Sequence, residues 1–145
     1  MQGLAAAQSP LRGKWMALFV LLLCQVGAMA VWFSSTAVTA RIQATLPLNS
    51  GEVSWLTSSV QLGFVLGTLL SAALSLADRW EPRRLFALSA LIAAGATMAL
   101  AFLEPVSWIV YGLRFITGMC MAGVYPVGMR LAATWARGDL GLLVG

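Results

Sequence analysis

Apolar residues in this chain come in long uninterrupted runs, separated by short polar stretches. Four runs approach or exceed the roughly 20 residues of helix that cross a hydrocarbon core. They are Trp15–Val38, Val53–Ala77, Leu85–Leu103 and Trp108–Thr134. The short alternating segments of a membrane barrel are a poor match to runs of this length. In lipid each backbone amide must be satisfied internally, so the runs are expected to be helices. The expected fold class is all-α: a polytopic membrane helix bundle with four complete spans and the start of a fifth at about residue 141. Residues 1–14 are read as a disordered tail, with Ser9-Pro10 ending any early helix.

Polar residues punctuate these runs in interpretable ways. In "LNSGEVSWL", Asn49 or Ser50 is placed to cap free amides, and Glu52 falls in the electropositive first turn. Gly63 and Gly67 form a GxxxG pair that permits close approach of a second helix. Trp15, Trp55, Trp80, Trp108 and Trp135 fall near predicted span ends, where an amphipathic ring favours the interface. Trp32 lies deeper and is a candidate cavity residue, with a lipid-facing position as the alternative. Gln61 is a second cavity candidate.

Composition names the solvent. Of 145 residues, 60% are hydrophobic and only 10% charged, against roughly 25% charged in a soluble domain. Placing the charges removes nucleic acid as a partner despite the net +4. Arg12, Lys14, Arg79, Arg83, Arg84, Arg130 and Arg137 flank the spans on one side, and Arg41 alone lies on the other. That asymmetry predicts both termini in the cytoplasm and the protein in the cell (inner) membrane. Ala28-Met29-Ala30 resembles a signal-peptide cleavage site, but the apolar run continues through Val31-Trp32-Phe33, so a retained span is expected. Cys24 and Cys120 are read as buried thiols serving as small apolar side chains. No cofactor or metal is called for.

The fourth run carries the most chemistry. Arg114, Gly118, Ala122, Pro126 and Arg130 recur every fourth residue and so form a slowly drifting stripe on one helix. Arg114 lies about two turns inside the membrane, where an arginine costs at least ~2.5 kcal/mol and should face protein or water. Its functional reading is translocation or coupling, with Gly118 and Ala122 letting another backbone come close. The structural alternative is an arginine paired to carbonyls. Pro126 favours a kink, and Arg130 is near enough to the membrane edge to snorkel.

The turn "LADRWEPRRL" packs five charges into the seven residues Asp78 to Arg84. With Leu76, Ala77, Asp78, Arg79, Arg83 and Arg84, it resembles the signature between the second and third helices of the major facilitator superfamily of secondary transporters. Leu74, Glu81 and Pro82 depart from that signature. Arg114, Gly118 and Ala122 are similar to the family's fourth-helix pattern, and "ATWARGDLGLLVG" resembles its link to the fifth helix. The resemblance covers nearly all of residues 15–145.

It implies a partial N-terminal transporter domain, cut early in the fifth helix and lacking the C-terminal half. Transport would be of a small solute by alternating access, and the fragment alone is expected to be inactive. Asp78, Arg79, Arg83 and Arg84 would form a cytoplasmic gating motif, with Asp78 the fixed acid and the arginines its mobile partners. Arg130 would be a latch partner for Asp78, in a pair partly shielded at the membrane edge. An anionic substrate suits Arg114. Nitrate does not, because nitrate porters resemble one another in a second-helix arginine that Val53–Ala77 lacks.

Other classes fit less well. Dimeric four-helix efflux pumps share a first-helix glutamate, which is missing from Trp15–Val38. A structural membrane subunit leaves Arg114 unexplained. An enzyme is not expected: without histidine there is no Ser-His dyad, and no paired intramembrane aspartates are present.

Overall fold

A computed structural model describes residues 9–104, 106–135 and 141. Its elements are the helices α1 (Ser9–Thr45), α2 (Ser50–Ala73), α3 (Leu76–Arg79), α4 (Pro82–Leu100) and α5 (Trp108–Ala133). Among the described residues, four helices are long and apolar enough to cross a membrane: stretches of α1, α2, α4 and α5. The all-α bundle is as expected. The fifth span falls outside the described residues apart from Gly141.

Sequence-local chemistry sets most helix ends. At α2, the Asn49 side chain accepts from the Glu52 N–H and the Asn49 N–H donates to Glu52 Oε2, both at 2.9 Å. This reciprocal box satisfies two amides that the first turn leaves open. At α5, Ser107 Oγ accepts from the Val110 N–H at 3.3 Å. Pro82 opens α4, where a missing N–H does no harm.

Two boundaries differ from expectation. α1 is 37 residues long, about 55 Å at 1.5 Å per residue, so it passes both ends of 15–38. Residues 1–8 lie outside the described part, but Ser9–Lys14 are helical and not a loose tail. Pro10 starts this helix, because in a first turn it breaks no hydrogen bond. The second run, expected to reach residue 77, stops at Ala73. Ser75 takes left-handed angles (φ 50, ψ 39) and turns the chain into the four-residue α3 that carries Asp78.

α5 is the centre of the bundle. Its Met121 and Val124 are fully buried and Val127 nearly so; Val110, Ala122 and Ala132 of α5, Leu56 and Val60 of α2, and Ala93 and Ala96 of α4 are the other core side chains among the described residues. α1 contributes no described side chain to that apolar core. Cys24 lies on the outer face of α1 and Cys120 is half-buried within the bundle, both as free thiols. α5 remains helical through Pro126.

The contact of α2 with α5 is backbone to backbone. A methyl added at Gly63 would overlap the Phe115 carbonyl, and one at Gly118 would overlap the Val60 carbonyl. At Gly67 it would lie 2.7 Å from the Met119 oxygen. The glycines therefore fix the separation of these two helices, as lipid-embedded packing requires where apolar burial gives little drive.

Candidate functional site

Arg114 points into the bundle from the α5 face that meets α2 and α1, and is only 1% exposed. Its Nε donates to the Leu56 carbonyl of α2 at 3.4 Å, and Nη2 donates to the Trp32 carbonyl of α1 at 3.2 Å. Nη1 is buried without a hydrogen-bond partner. The guanidinium thus ties three helices together while leaving one buried donor unsatisfied. The described carboxylates lie elsewhere: Glu52 caps α2, Asp78 and Glu81 hold other arginines, and Glu104 is exposed in a loop. A buried charge with only neutral acceptors is expensive, so a counter-anion would gain strongly there.

Trp32 is a side-chain neighbour of this site, and its carbonyl accepts from Arg114. Its ring meets Phe64 of α2 edge to face, with centroids 5.3 Å apart and an interplanar angle of 86°. Gly118 is buried one turn along from Arg114, and Ala122 is 4% exposed beyond it. Gln61 is not brought to Arg114: it lies exposed on the open face of α2. Ser59, 4% exposed and one turn from Leu56, has a buried hydroxyl with no partner.

The charged turn divides its residues. Arg130 Nη1 lies 2.8 Å from Asp78 Oδ1, joining the end of α5 to α3. Both side chains stand clear of the rest of the protein, 50% and 74% exposed. Glu81 holds Arg84 Nε at 2.8 Å. Arg79 is exposed on α3, and Arg83 lines a groove beside α1. Asp78 is therefore held by Arg130, while Arg83 and Arg84 point to other surroundings. The pair sits at the mouth of a cavity of about 410 Å³ between α2 and α5, with Thr68, Ser71 and Ser75 on its wall.

Gln25 is a polar residue that sequence reasoning passed over. From α1 its Nε2 reaches the Tyr125 carbonyl at 3.4 Å, and its Oε1 is buried without a partner. Gly128 makes the room, since a methyl there would lie 2.6 Å from Gln25 Nε2. The signal was available: an amide amid an apolar run, and a glycine off the Arg114 stripe.

The sequence matches the family model described as Major Facilitator Superfamily over residues 12–145. A curated relative, the niacin transporter NiaP of Acinetobacter baylyi, is 34% identical over 104 residues. The match covers 69% of this chain and 23% of that relative, so the chain spans about a quarter of the relative's length. No solved structure matches.

Proposed function

The chain belongs to the Major Facilitator Superfamily, and on that premise we propose that it is the N-terminal part of a secondary transporter for a small organic anion. One observation carries the substrate class: the buried Arg114 guanidinium, with Nη1 unpartnered and, among the described residues, neutral carbonyls as its acceptors. A carboxylate is the complement of that donor edge, since charge-assisted hydrogen bonds are about twice as strong as neutral ones. The relative is named for niacin, a pyridine carboxylic acid, and a compact aromatic carboxylate is the substrate class assigned here.

Movement is by alternating access, with this half rocking against a second. Asp78 and Arg130 latch the basic end in one state, and Arg79, Arg83 and Arg84 flank the latch. The basic asymmetry supports a cytoplasmic position for that end, in an inner-membrane protein. The 145 residues by themselves leave the α1 face uncovered and are expected not to transport. The protein is not an enzyme on this reading.

Uptake of nicotinate and of neutral nicotinamide into vesicles holding the complete transporter tests the substrate class. Arg114→Ala should raise the KM for nicotinate by about 10–100-fold, the loss of one charged hydrogen bond. Arg114→Lys should fall between, because the ammonium lacks the planar fork. Unchanged nicotinate uptake in Arg114→Ala, or equal uptake of nicotinamide, sinks the assignment.

A further inference from the structure

Arg114 is 1% exposed and its Nη1 is buried, so an anion reaches the guanidinium only after a helix moves. Protein outside these helices can only deepen that burial, so the closure is independent of what else covers the bundle. The guanidinium is held from two sides, by the Leu56 carbonyl of α2 on Nε and the Trp32 carbonyl of α1 on Nη2. One of these walls must withdraw.

The α2 wall is fixed. At Gly63, Gly67 and Gly118 an added methyl would lie under 3.0 Å from backbone atoms of the facing helix. Such a seam has no rotamer to adjust. The α1 wall is built differently. Among the described residues neither Gly13 nor Gly27 enters a seam of that kind, since a methyl on either meets nothing within 4 Å. Two hydrogen bonds from rotatable side chains join α1 to α5 instead: Arg114 Nη2 to the Trp32 carbonyl, and Gln25 Nε2 to the Tyr125 carbonyl at 3.4 Å. They lie about two turns apart on α1, roughly 10 Å, with one donor on each helix. Each also leaves a buried polar atom unsatisfied, Arg114 Nη1 and Gln25 Oε1. The closed arrangement therefore carries a cost that opening to water or to an anion relieves.

We propose that α1 is the gate of the Arg114 site, with Gln25 the positioning residue that latches it and the Trp32 carbonyl the internal ligand that a substrate carboxylate displaces from Nη2. The displacement rests on the anion reading of Arg114; the gate does not. A carboxylate is the stronger partner, because charge-assisted hydrogen bonds are about twice as strong as neutral ones. That difference offsets the neutral bonds lost when α1 withdraws. It is also the differential contact by which a ligand shifts an equilibrium, since the closed state forbids it. Apparent affinity then scales with the open fraction, so weakening the latch tightens binding.

Pulsed electron paramagnetic resonance on the complete transporter tests this, with spin labels on Gln43→Cys of α1 and Ile109→Cys of α5, and Cys24 and Cys120 replaced by serine. Both labelled positions are exposed near the outer helix ends. Ser54→Cys of α2 with Ile109→Cys is the reference pair. Saturating nicotinate should add a longer Gln43–Ile109 population, and nicotinamide should not. Gln25→Leu should add that population without substrate and lower the Kd for nicotinate about fivefold, the worth of one hydrogen bond. Gly128→Ala should do likewise, because its methyl would lie 2.6 Å from Gln25 Nε2 and displace the amide. The Ser54–Ile109 distance should stay fixed throughout. A Gln43–Ile109 distance unmoved in both variants overturns the gate, whatever the substrate. So does a widened Ser54–Ile109 pair, which would make α2 the moving wall. Tight nicotinate binding with no longer population overturns the displacement of Trp32. If the variants open α1 but nicotinate does not bind, the gate stands and the anion reading of Arg114 falls.

Discussion

Substituting Gly118 by alanine should separate α2 from α5 and destabilise the bundle. The new Cβ would lie 2.8 Å from the Val60 carbonyl carbon and 2.9 Å from the Phe64 nitrogen, with the Val60 oxygen nearer still. Carbon contacts relax at roughly 3.5–4.0 Å, so the helices must part locally by ~1 Å. The obstacle is backbone, which has no rotamer to change, so the upper end of the roughly 1–3 kcal/mol overpacking range applies. Alanine returns about 1 kcal/mol of helix propensity, leaving a net loss of about 2 kcal/mol. Gly95 supplies the contrast, because a methyl there meets nothing within 4 Å. Gly95→Ala should therefore be neutral or stabilise by up to about 1 kcal/mol. Reversible unfolding of the purified chain in mixed micelles, titrated with a denaturing detergent, reads both. The same parting stretches the Arg114 Nε to Leu56 bond, already 3.4 Å, past hydrogen-bond reach. If Gly118→Ala and Gly95→Ala behave alike, the close backbone contact does not exist.

Five further outcomes are expected. In the double variant Gly63→Ala/Gly118→Ala, the loss should be well short of the sum of the singles, since one displacement relieves both overlaps; additive losses would mean independent contacts. Ser75→Gly should stabilise by about 0.5–1 kcal/mol, because the left-handed angles at Ser75 cost a side-chain-bearing residue about 1–2 kcal/mol and glycine almost none; a destabilised variant in the same micelle titration contradicts that backbone. Asp78→Asn should lower the stability of the chain by less than about 1 kcal/mol, as the pair with Arg130 is exposed. In the complete transporter Asp78→Asn and Arg130→Ala should each reduce transport, with the double variant little worse, and strictly additive losses would remove the latch. Single cysteines at Gln43 and Arg137 should label from opposite sides of the membrane, and labelling from one side refutes the proposed topology.

By itself the sequence determined the order and membrane character of the four long helices. Continuous apolar runs leave no soluble alternative, and the helix ends follow from neighbours a few residues away, as the Asn49–Glu52 box demonstrates. It also marked Gly63, Gly67 and Arg114 as special, because small residues and charge are conspicuous in an apolar run. What those residues meet was decided only in three dimensions. Gly63 faces Phe115 and Gly118 faces Val60 because α2 and α5 cross there, a register no local pattern encodes. Arg114 reaches the Leu56 and Trp32 carbonyls, and carbonyl groups are present at every position, so nothing in the residue types identifies them. Arg83 and Arg84 are adjacent in the chain, yet one turns to the α1 groove and the other to Glu81. Asp78 meets Arg130 clear of the packed core, because the turn at Ser75 carries it out on α3. Apolarity and capping act over single turns, whereas helix pairing in lipid rests on shape matched between distant segments.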